Sequence, residues 1–157
     1  MGYATGIAPV VSYNYGAKRT DEIKGLFKKS MVLISSSAVL MVGAVMLSAN
    51  VLASIFVSYD EGLMTLTSHA IRLYNWSFLL CGFNLFAAAF FAALNNGFVS
   101  SVLSLTRILV FQLAMIFVMP LLIGNDGIWL SMIAAEILSV IVAFGFVVKN
   151  RNKYQYY

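Results

Sequence analysis

Apolar residues in this chain of 157 run in long unbroken stretches, neither alternating nor confined to one helical stripe. The uncharged run Met31–Val57 would extend about 40 Å as a helix, enough to cross a bilayer with tilt. A second stretch runs roughly Ile71–Leu94 and stops at Asn95-Asn96-Gly97, a turn signal. The third runs roughly Ser100–Ile123 and carries Arg107 and Pro120. The polar turn Gly124-Asn125-Asp126-Gly127 separates it from the fourth, Ile128–Val148. Ahead of these, Met1–Ala17 is about 17 residues, the lower limit for a span. No basic region precedes it and no small-residue cleavage site follows, so it does not read as a secretory signal. It reads as the tail of a helix whose beginning is missing. The predicted fold is an all-α integral membrane protein: a partial N-terminal transmembrane helix (1–17) and four full transmembrane helices (31–57, 71–94, 100–123 and 128–148).

The boundaries carry their own signals. Pro9 removes one backbone donor, which a membrane helix tolerates when a neighbour satisfies the freed carbonyl. Gly6 would let that neighbour approach closely. Tyr13 and Tyr15 suit the headgroup region, with Lys18 and Arg19 beyond them in water. Asn14 can satisfy carbonyls at the helix end, and Gly16 can end the helix in a left-handed conformation. Thr20 is placed to cap the next helix, with Asp21 and Glu22 in its first turn. Residues 23–29 then read as an amphipathic entry along the interface. Asp60, Glu61, Gly62 and the residues up to His69 read as a loop, and Trp76 and Trp129 as outer-face interface anchors.

Charge sharpens the topology. Hydrophobic residues make up 61% of the chain and charged residues 10%, against roughly a quarter charged in soluble domains. Five basic residues from Lys18 to Lys29 and three more at Lys149, Arg151 and Lys153 fall on one predicted side. Asp60, Glu61 and Asp126 fall on the other, where Arg72 is the one Lys or Arg nearby. The expectation is a multi-pass plasma-membrane protein with both ends of the four full spans cytoplasmic. The net charge of +4 thereby finds its partner in membrane lipid and not in nucleic acid. A lone cysteine, Cys81, excludes an intrachain disulfide.

Candidate chemistry is confined to polar groups at membrane depth, where each costs free energy unless partnered. No metal-ligand cluster and no phosphate-cradling glycine motif occurs, and the single histidine, His69, forms no triad. The chain is not expected to be an enzyme or to hold a metal or cofactor. His69 reads as an ordinary loop residue or as a pH-sensitive gate. Arg107 and Glu136 sit on spans joined by a short turn, at depths differing by about 6 Å. They are expected to form an intramembrane ion pair, either a structural clamp or a site where Glu136 is protonated in transport; snorkelling of Arg107 is the third option. Ser77, Asn84 and Asn95 share one face of the second span, with Cys81, Ala88 and Phe91 beside them. Asn84 there either bonds a neighbouring helix or faces a wet cavity. Phe83, Phe86, Phe90 and Phe91 could stack aromatic or cationic substrates, or face lipid.

Several segments together resemble one family. Gly6-Ile-Ala-Pro9 running into Tyr13-Asn14-Tyr15-Gly16-Ala17-Lys18 is similar to the end of the eighth helix of the multidrug and toxic compound extrusion (MATE) transporters. Gly82-Phe83-Asn84, Phe90–Gly97, Ser104-Leu105-Thr106-Arg107 and Gly127-Ile128-Trp129-Leu130 follow in the order such sequences show. The resemblance implies twelve helices in two six-helix lobes, of which this chain matches the last part of the second. It implies a Na+- or H+-coupled antiporter that exports amphipathic or cationic small molecules by alternating access, with the N-terminal lobe as the missing partner. On that reading the chain is a fragment or an internal open frame. The tenth helix of such transporters helps line the second-lobe pocket, which favours the cavity for Asn84 and gives Ser77, Phe83, Asn84 and Phe91 as a substrate pathway. Acidic coupling residues of the family's first lobe, and of its seventh and tenth helices, have no counterpart here. Two alternatives differ in function: a lipid-linked oligosaccharide flippase, disfavoured by the scarcity of intramembrane Lys and Arg, and a small four-span accessory protein.

Overall fold

The computed structural model describes residues 2–154; Met1 and the last three residues of the aromatic tail lie outside the described residues. The described chain is all helical: α1 (Gly2–Gly16), α2 (Thr20–Val57), α3 (Glu61–Asn75), α4 (Phe78–Ala93), α5 (Gly97–Leu105), a π-helical segment (Thr106–Gln112), α6 (Leu113–Ile123) and α7 (Asp126–Tyr154). Three helical stretches are long and apolar enough to cross a membrane: Thr20–Val57, Gly97–Ile123 and Asp126–Tyr154. The bent pair α3–α4 makes a fourth if counted as one span. Leu47 is 92% exposed and Leu121 86%. Large aliphatics so bare belong against lipid, since water would penalise them.

The amphipathic entry and the first full span are one helix. α2 continues without a break for 38 residues, about 57 Å, so residues 20–30 do not turn along the interface. Burial explains the continuity: Ile23, Phe27 and Ser30 pack inward along the same face as Ala38 and Val42 further up. The Ser30 hydroxyl folds back on Leu26 O at 2.6 Å and meets the Tyr3 hydroxyl of α1 at 2.8 Å. Arg19, not Thr20, occupies the capping position, and no side chain caps the helix.

Residues 61–69 are helical and not a loop. Asp60 takes an extended backbone and its carboxylate accepts from Leu63 N at 3.0 Å, an N-cap. Thr65 returns its hydroxyl to Glu61 O at 2.9 Å, so the polar residues that resemble a loop in sequence bond within a helix instead. The span over 71–94 is correspondingly broken. Residues 76–77 tighten to i→i−3 bonds, Trp76 N to Leu73 O and Ser77 N to Tyr74 O, and α3 and α4 meet at 44°. Asn75 fixes the break by donating to Val42 O of α2 at 2.8 Å.

α4 occupies the middle of the bundle, packed by α1, α2, α5 and α7. Phe86, Phe90 and Phe91 are at most 2% exposed there. Phe27 of α2 sets its ring 5.1 Å from Phe90 and 5.9 Å from Phe86, tilted in both cases. Such aromatic pairs add roughly 0.5–1.5 kcal/mol beyond simple burial. Between α6 and α7, Gly124 makes the turn at φ 76, where a side chain would be strained. Gly127 then lets α7 pass directly over the Met119 carbonyl and Pro120, leaving no room for a Cβ.

Candidate functional site

The buried polar groups converge at one place, among α4, the π-helical segment and α7. Arg107 Nη2 donates to Glu136 Oε1 at 2.6 Å, and its Nε donates to the same oxygen at 3.0 Å. Asn84 Nδ2 donates to the other carboxylate oxygen, Oε2, at 2.6 Å and to the Glu136 carbonyl at 3.2 Å. Arg107 Nη2 also reaches Cys81 Sγ at 3.2 Å. The Glu136 side chain is 4% exposed and that of Arg107 17%. Three donors on one carboxylate, two of them from a cation, answer most of its desolvation.

Local structure explains how the groups meet. Cys81 and Asn84 are one turn apart on α4 and therefore share a face. Arg107 lies in the π-helical segment, whose wider turn shifts its register relative to α5. Thr106 marks the entry to that segment by bonding Val102 O at 2.6 Å. Wide turns of this kind recur at functional sites. The segment has no composition signal of its own in the sequence. Asn84 retains one imperfection: its Oδ1 is buried without a hydrogen-bond partner among the described residues, a loss of about 1–3 kcal/mol.

The structure separates the other residues of the supposed substrate pathway. Asn84 faces Glu136 and not a cavity. Phe91 is wholly buried in the aromatic cluster, so its ring has no face to offer a substrate in this arrangement. Ser77 is 3% exposed and donates to Tyr74 O at 2.8 Å; the break before α4 takes it out of the stripe it would share with Asn84. Asn95 lies beyond α4, exposed and with φ 58. Phe83 borders an opening, a crevice between α2, α4 and α7.

At the helix-end motif, Asn14 donates to Val10 O at 2.9 Å and its own carbonyl accepts from Arg19 N at 2.9 Å. Gly16 ends α1 in the helical register, while Lys18 takes the left-handed conformation at φ 57. The helix end thus closes at Lys18, two residues later than a left-handed Gly16 would close it. Pro9 is exposed, and among the described residues a Cβ added at Gly6 would meet no atom of another helix within 4 Å. Tyr13 is exposed; Tyr15 stacks its ring 5.6 Å from that of Tyr154 at the end of α7. His69, on α3, meets Asp126 at 3.1 Å with both groups about half exposed. That contact was not visible in the sequence, where His69 falls in a loop.

Membrane-length helices around a buried ion pair define a polytopic helical membrane protein. The chain belongs to the MatE family, whose model matches residues 1–118 of the 157. Members of this family are membrane transporters, not enzymes. The matched region takes in the helix-end motif, Asn84 and Arg107 and stops within α6, before Glu136. No curated protein and no solved structure matches the chain.

Proposed function

We propose that the chain forms part of the second lobe of a cation-coupled antiporter that exports amphipathic or cationic compounds. The observation that carries this reading is the family match spanning α1 to α6 on a bundle of membrane-length helices. The coupling ion is Na+ or H+, moved through a first lobe against which this one rocks as a rigid body. The Arg107–Glu136–Asn84 knot serves that rigidity by tying three helices together at mid-membrane. The protein resides in the plasma membrane with both ends of its four spans cytoplasmic. Charge supports that orientation: Tyr15 meets Tyr154 at the end rich in Lys and Arg, and His69 meets Asp126 at the acidic end. A lipid-linked oligosaccharide flippase would need a cationic cavity, whereas Arg107 is the single Lys or Arg between Asn75 and Val148 and is already paired.

The test is ion-driven accumulation of ethidium in inside-out vesicles from cells making the polypeptide that contains this chain together with a first lobe. The expected result is uptake abolished by collapsing the Na+ or the H+ gradient. Uptake indifferent to both gradients contradicts the coupling. The 157 residues alone are expected not to transport, and measurable flux by them would overturn the two-lobe requirement.

A further inference from the structure

The crevice beside Phe83 is apart from the polar knot and borders the aromatic cluster through Phe27 and Val147. It measures about 310 Å³, at the lower end of the range for ligand pockets, roughly 300–1,000 Å³. Phe27 and Met31 of α2, Phe83 of α4, and Phe144 and Val147 of α7 form its walls, and Arg151 stands at its rim. Phe144, Val147 and Arg151 recur at helical spacing along α7, so the arginine lies one turn beyond the apolar wall. On α2, Lys24 lies one turn before Phe27 and about 60° around the helix from it. α2 begins and α7 ends at the same end of the bundle, so both cations fall on the same side of the crevice. Asp21 and Glu22, the nearest acids in sequence, point at least about 120° away from Phe27. Lys24 and Arg151 are both exposed.

An apolar slot with Arg151 at its rim and Lys24 one turn before its Phe27 wall, at a bundle end rich in Lys and Arg, complements an amphiphile with a negative head. The slot lies between helices of membrane-spanning length and Arg151 stands at its rim, at the bundle end rich in Lys and Arg, which favours a bilayer lipid over a solute arriving from water. Basic pockets between membrane helices on the cytoplasmic side recognise acidic headgroups in this way. We propose that this crevice binds one anionic phospholipid of the leaflet facing the basic end, with an acyl chain between Phe83 and Phe144 and the phosphate at Arg151 and Lys24. The site needs the chain to lie in a bilayer and is independent of what is exported.

Native mass spectrometry of the purified chain, released from detergent after titration with defined lipid, tests it. Phosphatidylglycerol is expected to be retained in preference to phosphatidylcholine with the same acyl chains. Arg151→Gln should weaken phosphatidylglycerol binding about fivefold and the Arg151→Gln/Lys24→Gln double variant about 25-fold, at roughly 1 kcal/mol per basic residue. Neither position is buried, so both variants should fold. Met31→Trp, which fills the slot and leaves the cations in place, should lower retention of the lipid. Glycerol phosphate, a head without tails, should not be retained. Equal retention of the two lipids, undiminished binding by the double variant, or tight binding of glycerol phosphate would each overturn the proposal. So would a crevice filled by another protein segment, which would leave neither lipid retained.

Discussion

Two regions hold this bundle together by opposite means. At mid-membrane, one carboxylate, one guanidinium and one amide join α4, the π-helical segment and α7. Towards the basic end, Phe27, Phe86, Phe90 and Phe91 join α2 and α4 with no polar atom among their side chains. In water the aromatic region would dominate, because burying such rings removes large apolar areas from solvent. In a bilayer that advantage shrinks, because lipid tails are as apolar as the protein core. The charged knot moves the other way, since leaving either ion unpaired in hydrocarbon is expensive. The same chain therefore draws its specificity from few polar groups and its close fit from many apolar ones.

That contrast can be broken most severely at the carboxylate. Glu136→Ala strands the part-buried Arg107 guanidinium at membrane depth and is expected to remove about 3–5 kcal/mol, read as a fall in the unfolding midpoint in mixed micelles. Phe91→Ala should cost less than the roughly 3–5 kcal/mol of the same truncation in a soluble core, because only packing and not transfer from water is lost. A loss from Phe91→Ala equal to or above that from Glu136→Ala would reverse the ranking of the two regions. Gly127→Ala drives a methyl into the Met119 carbonyl and should cost about 1–3 kcal/mol, seen as a lower midpoint with the two regions themselves untouched. The mildest change is Asn84→Leu. It removes both hydrogen bonds to Glu136 but also the orphaned Oδ1, so its cost should stay at about 1 kcal/mol, at an average of about 0.6 kcal/mol for each interhelical bond in a membrane protein.

The knot was partly legible in the sequence because charge is rare there. Arg107 and Glu136 stand out against apolar neighbours, and a short turn between their spans limits how far apart they can lie. Asn84 was visible for the same reason, but its partner was not, because a polar side chain at membrane depth is satisfied equally well by a helix or by trapped water. The aromatic region was harder to read. Nothing in Phe83, Phe86, Phe90 and Phe91 distinguishes a ring facing lipid from one facing protein, since both surroundings are apolar. Phe91 therefore stood as a substrate-facing residue although it is fully buried. The helix at residues 61–69 was obscured by Thr65, Thr67, Ser68 and His69, whose polarity reads as a loop until Thr65 is seen bonding within its own turn. The π-helical segment is set by backbone register alone and leaves no compositional trace.

The most direct test is a double-mutant cycle on the ion pair, with unfolding in mixed micelles measured for Arg107→Met, Glu136→Leu and the two combined. Each single change should be strongly destabilising, while the combined variant should lie within about 1 kcal/mol of the starting protein, as apolar replacement of a buried pair allows. Losses that simply add in the combined variant would contradict a direct pairing of Arg107 with Glu136.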